Sequence, residues 1–69
     1  MLEEVAMDEA MADPAAGEVL PTSMADPRWP AHEGWVKMEQ AIEDVEIHYV
    51  FNTRTCEVDD FKFKDREDE

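Results

Sequence analysis

Seven consecutive residues, Val45-Glu46-Ile47-His48-Tyr49-Val50-Phe51, constrain this chain more than any other stretch of it. Side chains of an extended strand alternate between two faces, so Val45, Ile47, Tyr49 and Phe51 must share one side. A helix would scatter the same four around its circumference. The segment is therefore a strand with one apolar face, and such a face needs neighbours to cover it.

Two further runs supply those neighbours. Trp35 to Gln40 alternates weakly, with Val36 and Met38 on one side, and Glu57 to Phe63 sets Phe61 and Phe63 together with Lys62 opposite. Between the runs lie Glu43-Asp44 and Asn52 to Cys56, both of hairpin length. The pattern predicts a three-stranded antiparallel meander at about 35–42, 45–51 and 57–63. Its apolar face would carry Val36, Met38, Ile47, Tyr49, Phe51, Phe61 and Phe63, and its other face would be wet and charged.

The chain changes character near Gly34. All four prolines (Pro14, Pro21, Pro27 and Pro30) precede it, and five of the six Lys and Arg residues follow it. Residues 1–23 read as an acidic leader, partly helical or disordered, whose composition suggests an extension unrelated to the rest. Within the leader, Leu2 to Ala12 is rich in strong helix formers, with Leu2, Val5, Ala6 and Glu9 along one stripe, and Asp13-Pro14 stops it. Residues 24–34 have the proline spacing of an extended segment, and 65–69 form a disordered charged tail. The expected class is α+β or mainly β: a short N-terminal helix, a Pro-rich linker and the meander.

An isolated helix of this length is marginal in water, so it needs a docking surface. The meander's apolar face is one, with the Trp29-Pro30 segment as an alternative cover. A protein partner seated on Ile47, Tyr49, Phe51, Phe61 and Phe63 is the third option.

Charge narrows the function. With 19 Asp and Glu against 6 Lys and Arg in 69 residues, the formal net charge is −13. A chain so acidic repels nucleic acid and anionic membrane surfaces at long range. One cysteine, Cys56, forms no internal disulfide. The N-terminal residues carry Glu3, Glu4, Asp8 and Glu9 where a signal peptide needs a basic start, and no apolar run approaches a membrane span. The expectation is a cytoplasmic chain, or a secreted one if it belongs to a longer toxin.

Few residues suggest chemistry. His48 lies mid-strand beside Glu46, and a histidine next to carboxylates can act as general acid or base; it can equally be a strand residue held by Glu39 or Lys62 across the sheet. Lys62, Lys64 and Arg66 make a basic cluster, interleaved with Asp60, Asp65 and Glu67. Asp59 and Asp60 lack the spacing of a calcium loop, and adjacent residues of a regular strand point apart. His32, His48 and one cysteine do not make a structural zinc set. Ser23, the only serine, lies in the proline-rich stretch, and Cys56 has acidic Glu57 beside it, which opposes thiolate formation. Neither a cofactor nor a metal is called for.

The stretch Asp26-Pro27-Arg28-Trp29-Pro30-Ala31-His32-Glu33-Gly34-Trp35-Val36-Lys37-Met38 carries a resemblance, as do Val45 to Val50 and Val58 to Lys64. Together they resemble the extreme C-terminal segment of bacterial polymorphic toxins, the variable effector ends of large secreted Rhs or haemagglutinin-repeat proteins. The likeness spans about residues 24–64. Many such tips are RNases or DNases, so it implies a C-terminal effector fragment, of nuclease type in that case and inactive alone. His48 and Lys62 occupy matching positions and are the catalytic candidates it implies. The sequence departs from the pattern at two turns, where Cys56 and the Glu43-Asp44 pair stand in place of glycine. Glycine accepts positive φ freely, whereas cysteine there costs about 1 kcal/mol. The acidity favours a reading of another class: a small acidic protein-binding module such as an immunity protein or antitoxin, which caps a basic nuclease.

Overall fold

The computed structural model of the chain describes residues 2–22 and 24–64; Ser23 and the charged tail expected at 65–69 lie outside the described residues. A helix, α1 (Glu3–Ala12), precedes four strands: β1 (Glu18–Val19), β2 (Trp35–Ile42), β3 (Val45–Asn52) and β4 (Val58–Phe63). They form one antiparallel sheet in the order β1-β2-β3-β4, so the class is α+β. The meander expected from alternation is present as β2, β3 and β4. To it the structure adds a two-residue edge strand, with Glu18 beside Glu39 and Val19 beside Met38. Two residues are too few to show a period, which hides β1 from sequence reading. Short 3-10 turns at Pro14–Ala16 and Ala31–Glu33 interrupt the proline-rich stretch.

Register places the apolar positions as the alternation requires. Val36 faces Phe51, Met38 faces Tyr49, Gln40 faces Ile47 and Ile42 faces Val45. The core consists of Ala6, Ala10, Met38, Val45, Ile47 and Tyr49, with Met7, Val36, Ile42, Phe51, Val58 and Phe61 packed around it. The composition shift near Gly34 is thus no structural boundary, because α1 lies on the sheet and β1 pairs with it. The helix turns Ala6, Met7 and Ala10 inward, whereas Leu2 and Val5 of the expected stripe are exposed. Alanine explains the choice, since its small side chain lets the helix backbone approach Tyr49 and Ile47.

β4 contains a correction to its own alternation. Val58 is separated from Phe61 by three positions, so a regular strand would put them on opposite faces. Val50 pairs with Asp59 and His48 with Lys62, leaving Asp60 and Phe61 both opposite Tyr49. This bulge, with Asp60 at φ 57°, restores Phe61 and Phe63 to the core side. Phe61 then stacks on Tyr49 with ring centroids 4.7 Å apart.

The two hairpins show the strain that the missing glycines foretell. Glu43 has φ 59° in the two-residue turn between β2 and β3, and Cys56 has φ 66° in the turn between β3 and β4. Asn52 organises the second turn: its Oδ1 accepts from the backbone N–H of Arg54 and Thr55, and its Nδ2 donates to the Glu33 carbonyl. Gly34, at φ 105°, takes the left-handed conformation that ends the preceding 3-10 turn.

A polar network fastens α1 to the sheet. Gln40, buried on the core face, points the two N–H groups of Nε2 at three acceptors, the carbonyls of Asp13 (2.9 Å) and Ala10 (3.3 Å) and the Tyr49 hydroxyl (3.3 Å), the longer two sharing one hydrogen. The Tyr49 hydroxyl in turn donates to the Pro14 carbonyl. These are carbonyls at and just beyond a helix C-terminus, which lack partners within the helix. Gly17 permits the approach, since a Cβ there would meet the Tyr49 hydroxyl and lie 2.6 Å from the Glu39 carbonyl.

Two stability changes follow. Gln40→Ala takes the side-chain donor from the buried Ala10 carbonyl and lowers unfolding free energy by about 1–3 kcal/mol, which urea denaturation measures. Cys56→Gly relieves a left-handed cysteine and raises stability by about 1 kcal/mol. In a domain of this size that appears as a melting point higher by roughly 4–8 °C.

Candidate functional site

The sheet face opposite α1 holds the polar side chains that sequence reading singled out. β2 contributes Lys37 and Glu39, β3 contributes Glu46, His48 and Val50, and β4 contributes Asp59, Asp60 and Lys62. Pairing brings Lys37 beside Val50 and Glu39 beside His48, with His48 flanked on its other side by Lys62. The two catalytic candidates are therefore cross-strand neighbours. Their side chains serve different carboxylates.

His48 sits at the centre of an acid cluster. Its Nε2 lies 2.9 Å from Glu46 Oε2, two positions along the same strand, and 3.4 Å from Glu39 Oε1 on β2. Its side chain is 14 % exposed, and those of Glu39 and Glu46 are 30 % and 33 % exposed. The hydrogen bond from His48 holds the Glu46 carboxyl below its ordinary value of 4.5, and a hydrogen bond with Glu39 adds to the effect. Of the two partners expected for His48 across the sheet, Glu39 is the one engaged. The β3 spacing of Glu46 and His48 is visible in the sequence; Glu39 joins them through register alone.

Lys62 instead extends toward Asp60, with Nζ 3.6 Å from Oδ2. Both belong to a groove of about 310 Å³ that Arg28, Trp29, Lys37 and Val50 also line. Trp29 is buried there and donates from Nε1 to Asp59 Oδ2 at 3.4 Å. Its segment thus covers part of the outer face, not the apolar one, and explains why Val50 is buried on a side expected to be wet. The bulge also brings Asp59 and Asp60 to this one side, which a regular strand would not. Arg28 packs 4.2 Å from the Trp29 ring and chelates Asp26, whose carboxyl it holds at about 2. Partial burial, then the nearby Lys62 ammonium, push the Lys37 amine below its usual range.

The other residues weighed from sequence stay apart from these groups. His32 and Cys56 are exposed, on the 3-10 turn before β2 and in the β3–β4 turn. The apolar positions Ile47 and Tyr49 lie under α1 with no exposed surface, Phe51 and Phe61 are half-buried, and Phe63 is exposed at the edge. Among the described residues, no helix is long and apolar enough to cross a membrane. Comparison with protein-family models, with curated proteins and with solved structures finds no match to the chain.

The depressed Glu46 carboxyl ties stability to pH. A folded-state value below the unfolded one favours folding above the unfolded value, near 4.5, and the advantage is lost as pH falls through the folded value. Replacing Glu46 with Gln removes that contribution. The stability difference between wild type and Glu46→Gln, measured by denaturation at stepped pH, is expected to hold from pH 7 to about 5 and to shrink below 4.5.

Proposed function

We propose that this chain is a small acidic protein-binding module that docks on a basic protein, in the manner of immunity proteins and antitoxins that cap basic nucleases. The observation that supports it best is the outer surface of α1. Glu3, Glu4, Asp8 and Glu9 are all exposed there, and the chain has no Lys or Arg before Arg28. Among those acids, Leu2, Val5 and Met11 are 68 %, 43 % and 53 % exposed. Apolar side chains interspersed with acids and no base match a partner surface that alternates apolar patches with Lys and Arg. The −13 charge would draw such a partner in at long range.

A second reading, an inactive C-terminal segment of a polymorphic-toxin effector, draws on the resemblance over about 24–64 and on the position of His48 opposite Lys62. It gained force from an apolar sheet face with nothing over it. With α1 lying on Ile47 and Tyr49, the binding reading takes precedence.

The test uses the full chain, immobilised, and the partner recovered from the proteome of its source. That partner is expected to be basic, and its association rate to fall steeply between low and physiological salt. Neutralising Glu3→Gln, Glu4→Gln and Asp8→Asn together should slow association about tenfold while leaving dissociation nearly unchanged. An association indifferent to salt and to these changes overturns the proposal. The effector-segment reading predicts instead that the isolated chain shows no cooperative melt.

A further inference from the structure

We propose that Glu39, Glu46 and His48 form a binding site for a divalent transition metal of the Zn²⁺ type. Their ligand atoms all lie within 4.8 Å of one another. A metal with bonds of about 2.0–2.2 Å to imidazole nitrogen and carboxylate oxygen draws its ligands to about 3–3.5 Å apart. The separations from His48 Nε2, at 2.9 Å and 3.4 Å, already fall near that range.

The arrangement is built by the backbone. Glu39 and His48 are register partners on the two central strands, and Glu46 precedes His48 by two positions on the same face. All three side chains rise from paired strands, so assembling the site demands little ordering of loops.

The charge balance also asks for a cation. One Nε2 carries at most one hydrogen, yet it faces two carboxylates. Lys62, the nearest register neighbour, turns to Asp60, and Lys64, whose backbone N–H bonds the Glu46 carbonyl, attracts the Glu46 carboxylate without an ion pair within 4 Å among the described residues. The two half-buried carboxylates share a hydrogen bond with each other and have one imidazole within ion-pair distance, in a chain of net charge −13. A divalent ion would satisfy all three groups at once, with the solvent side open for water to complete the coordination.

The donor set chooses the metal. Ca²⁺ takes six to eight oxygens and Mg²⁺ an octahedron mostly of oxygens and water, so an imidazole and two carboxylates suit them poorly. Imidazole with carboxylate suits Zn²⁺ and its neighbours in the first transition row. This donor set owes nothing to the binding surface on α1, so the two proposals fail independently.

Titration of the full chain with ZnCl₂, followed by calorimetry and by the imidazole ¹⁵N resonances of His48, tests the site. One equivalent should bind saturably, move the Nε2 resonance and raise the melting point; Mg²⁺ should do none of these. His48→Ala and the near-isosteric Glu39→Gln should each weaken binding by about tenfold or more, and His32→Ala and Cys56→Ser should leave it unchanged. Circular dichroism melts in the absence of metal establish that each variant folds. Absence of saturable binding below about 1 mM, an affinity weaker than such a three-ligand set gives, overturns the proposal. So does binding that survives both His48→Ala and Glu39→Gln, or that disappears with Cys56→Ser.

Discussion

The contact between the end of α1 and the middle of the sheet is the constraint on which the rest of the fold depends. A ten-residue helix does not hold itself together in water, and here its buried face is mostly alanine. Alanine contributes little apolar area, so packing alone fastens the helix weakly. Gln40 and Tyr49 make up the difference. Their hydrogen bonds reach the carbonyls of Ala10, Asp13 and Pro14, adding a sheet-borne donor to each, where the 3-10 turn already supplies the Ala16 and Gly17 N–H groups to the latter two. The same two residues face inward from β2 and β3, so whatever holds the helix also holds the register of the central pair.

That fastening separates the molecule into two surfaces with different physical character. The centre of the inner face disappears beneath α1, and the outer face keeps Lys37, Glu39, Glu46, His48 and Asp60 half-buried. Acids on the outer face are positioned by pairing, whereas those on α1 stand free on a helix surface. The total of −13 is therefore not one property. Part of it is diffuse and suited to long-range attraction, and part is concentrated at a fixed point around His48.

The central strands were legible because alternation survives in β2 and β3, where every residue has a cross-strand partner. The hairpin strain was legible too, since the absence of glycine at Glu43 and Cys56 marks where positive φ falls on a costly residue. Sequence could not show β1, whose two residues carry no period, nor that Trp29 would settle on the outer face. Of the helix stripe Leu2, Val5, Ala6 and Glu9, only Ala6 turns inward, because close approach to Tyr49 favours Ala6 and Ala10 over the larger Leu2 and Val5. His48 and Lys62 stood out as titratable residues, but Glu39 joins His48 only through pairing between strands, and no local pattern encodes that.

The bulge at Asp60 links the two surfaces. Without the extra residue, Phe61 and Phe63 would turn outward and Lys62 would turn into the core, a slip that reverses every side chain beyond it. The sequence places two acids at that point, and aspartate tolerates the left-handed conformation better than most residues. Asp59 Oδ1 accepts the backbone N–H of Asp60, while its Oδ2 accepts from Trp29. Asp60 itself lies 3.6 Å from the Lys62 ammonium. One irregularity in an edge strand thereby seats an aromatic stack on Tyr49 on one face. On the other it holds the Lys62 ammonium against Asp60, outside ion-pair distance of Glu39 and Glu46.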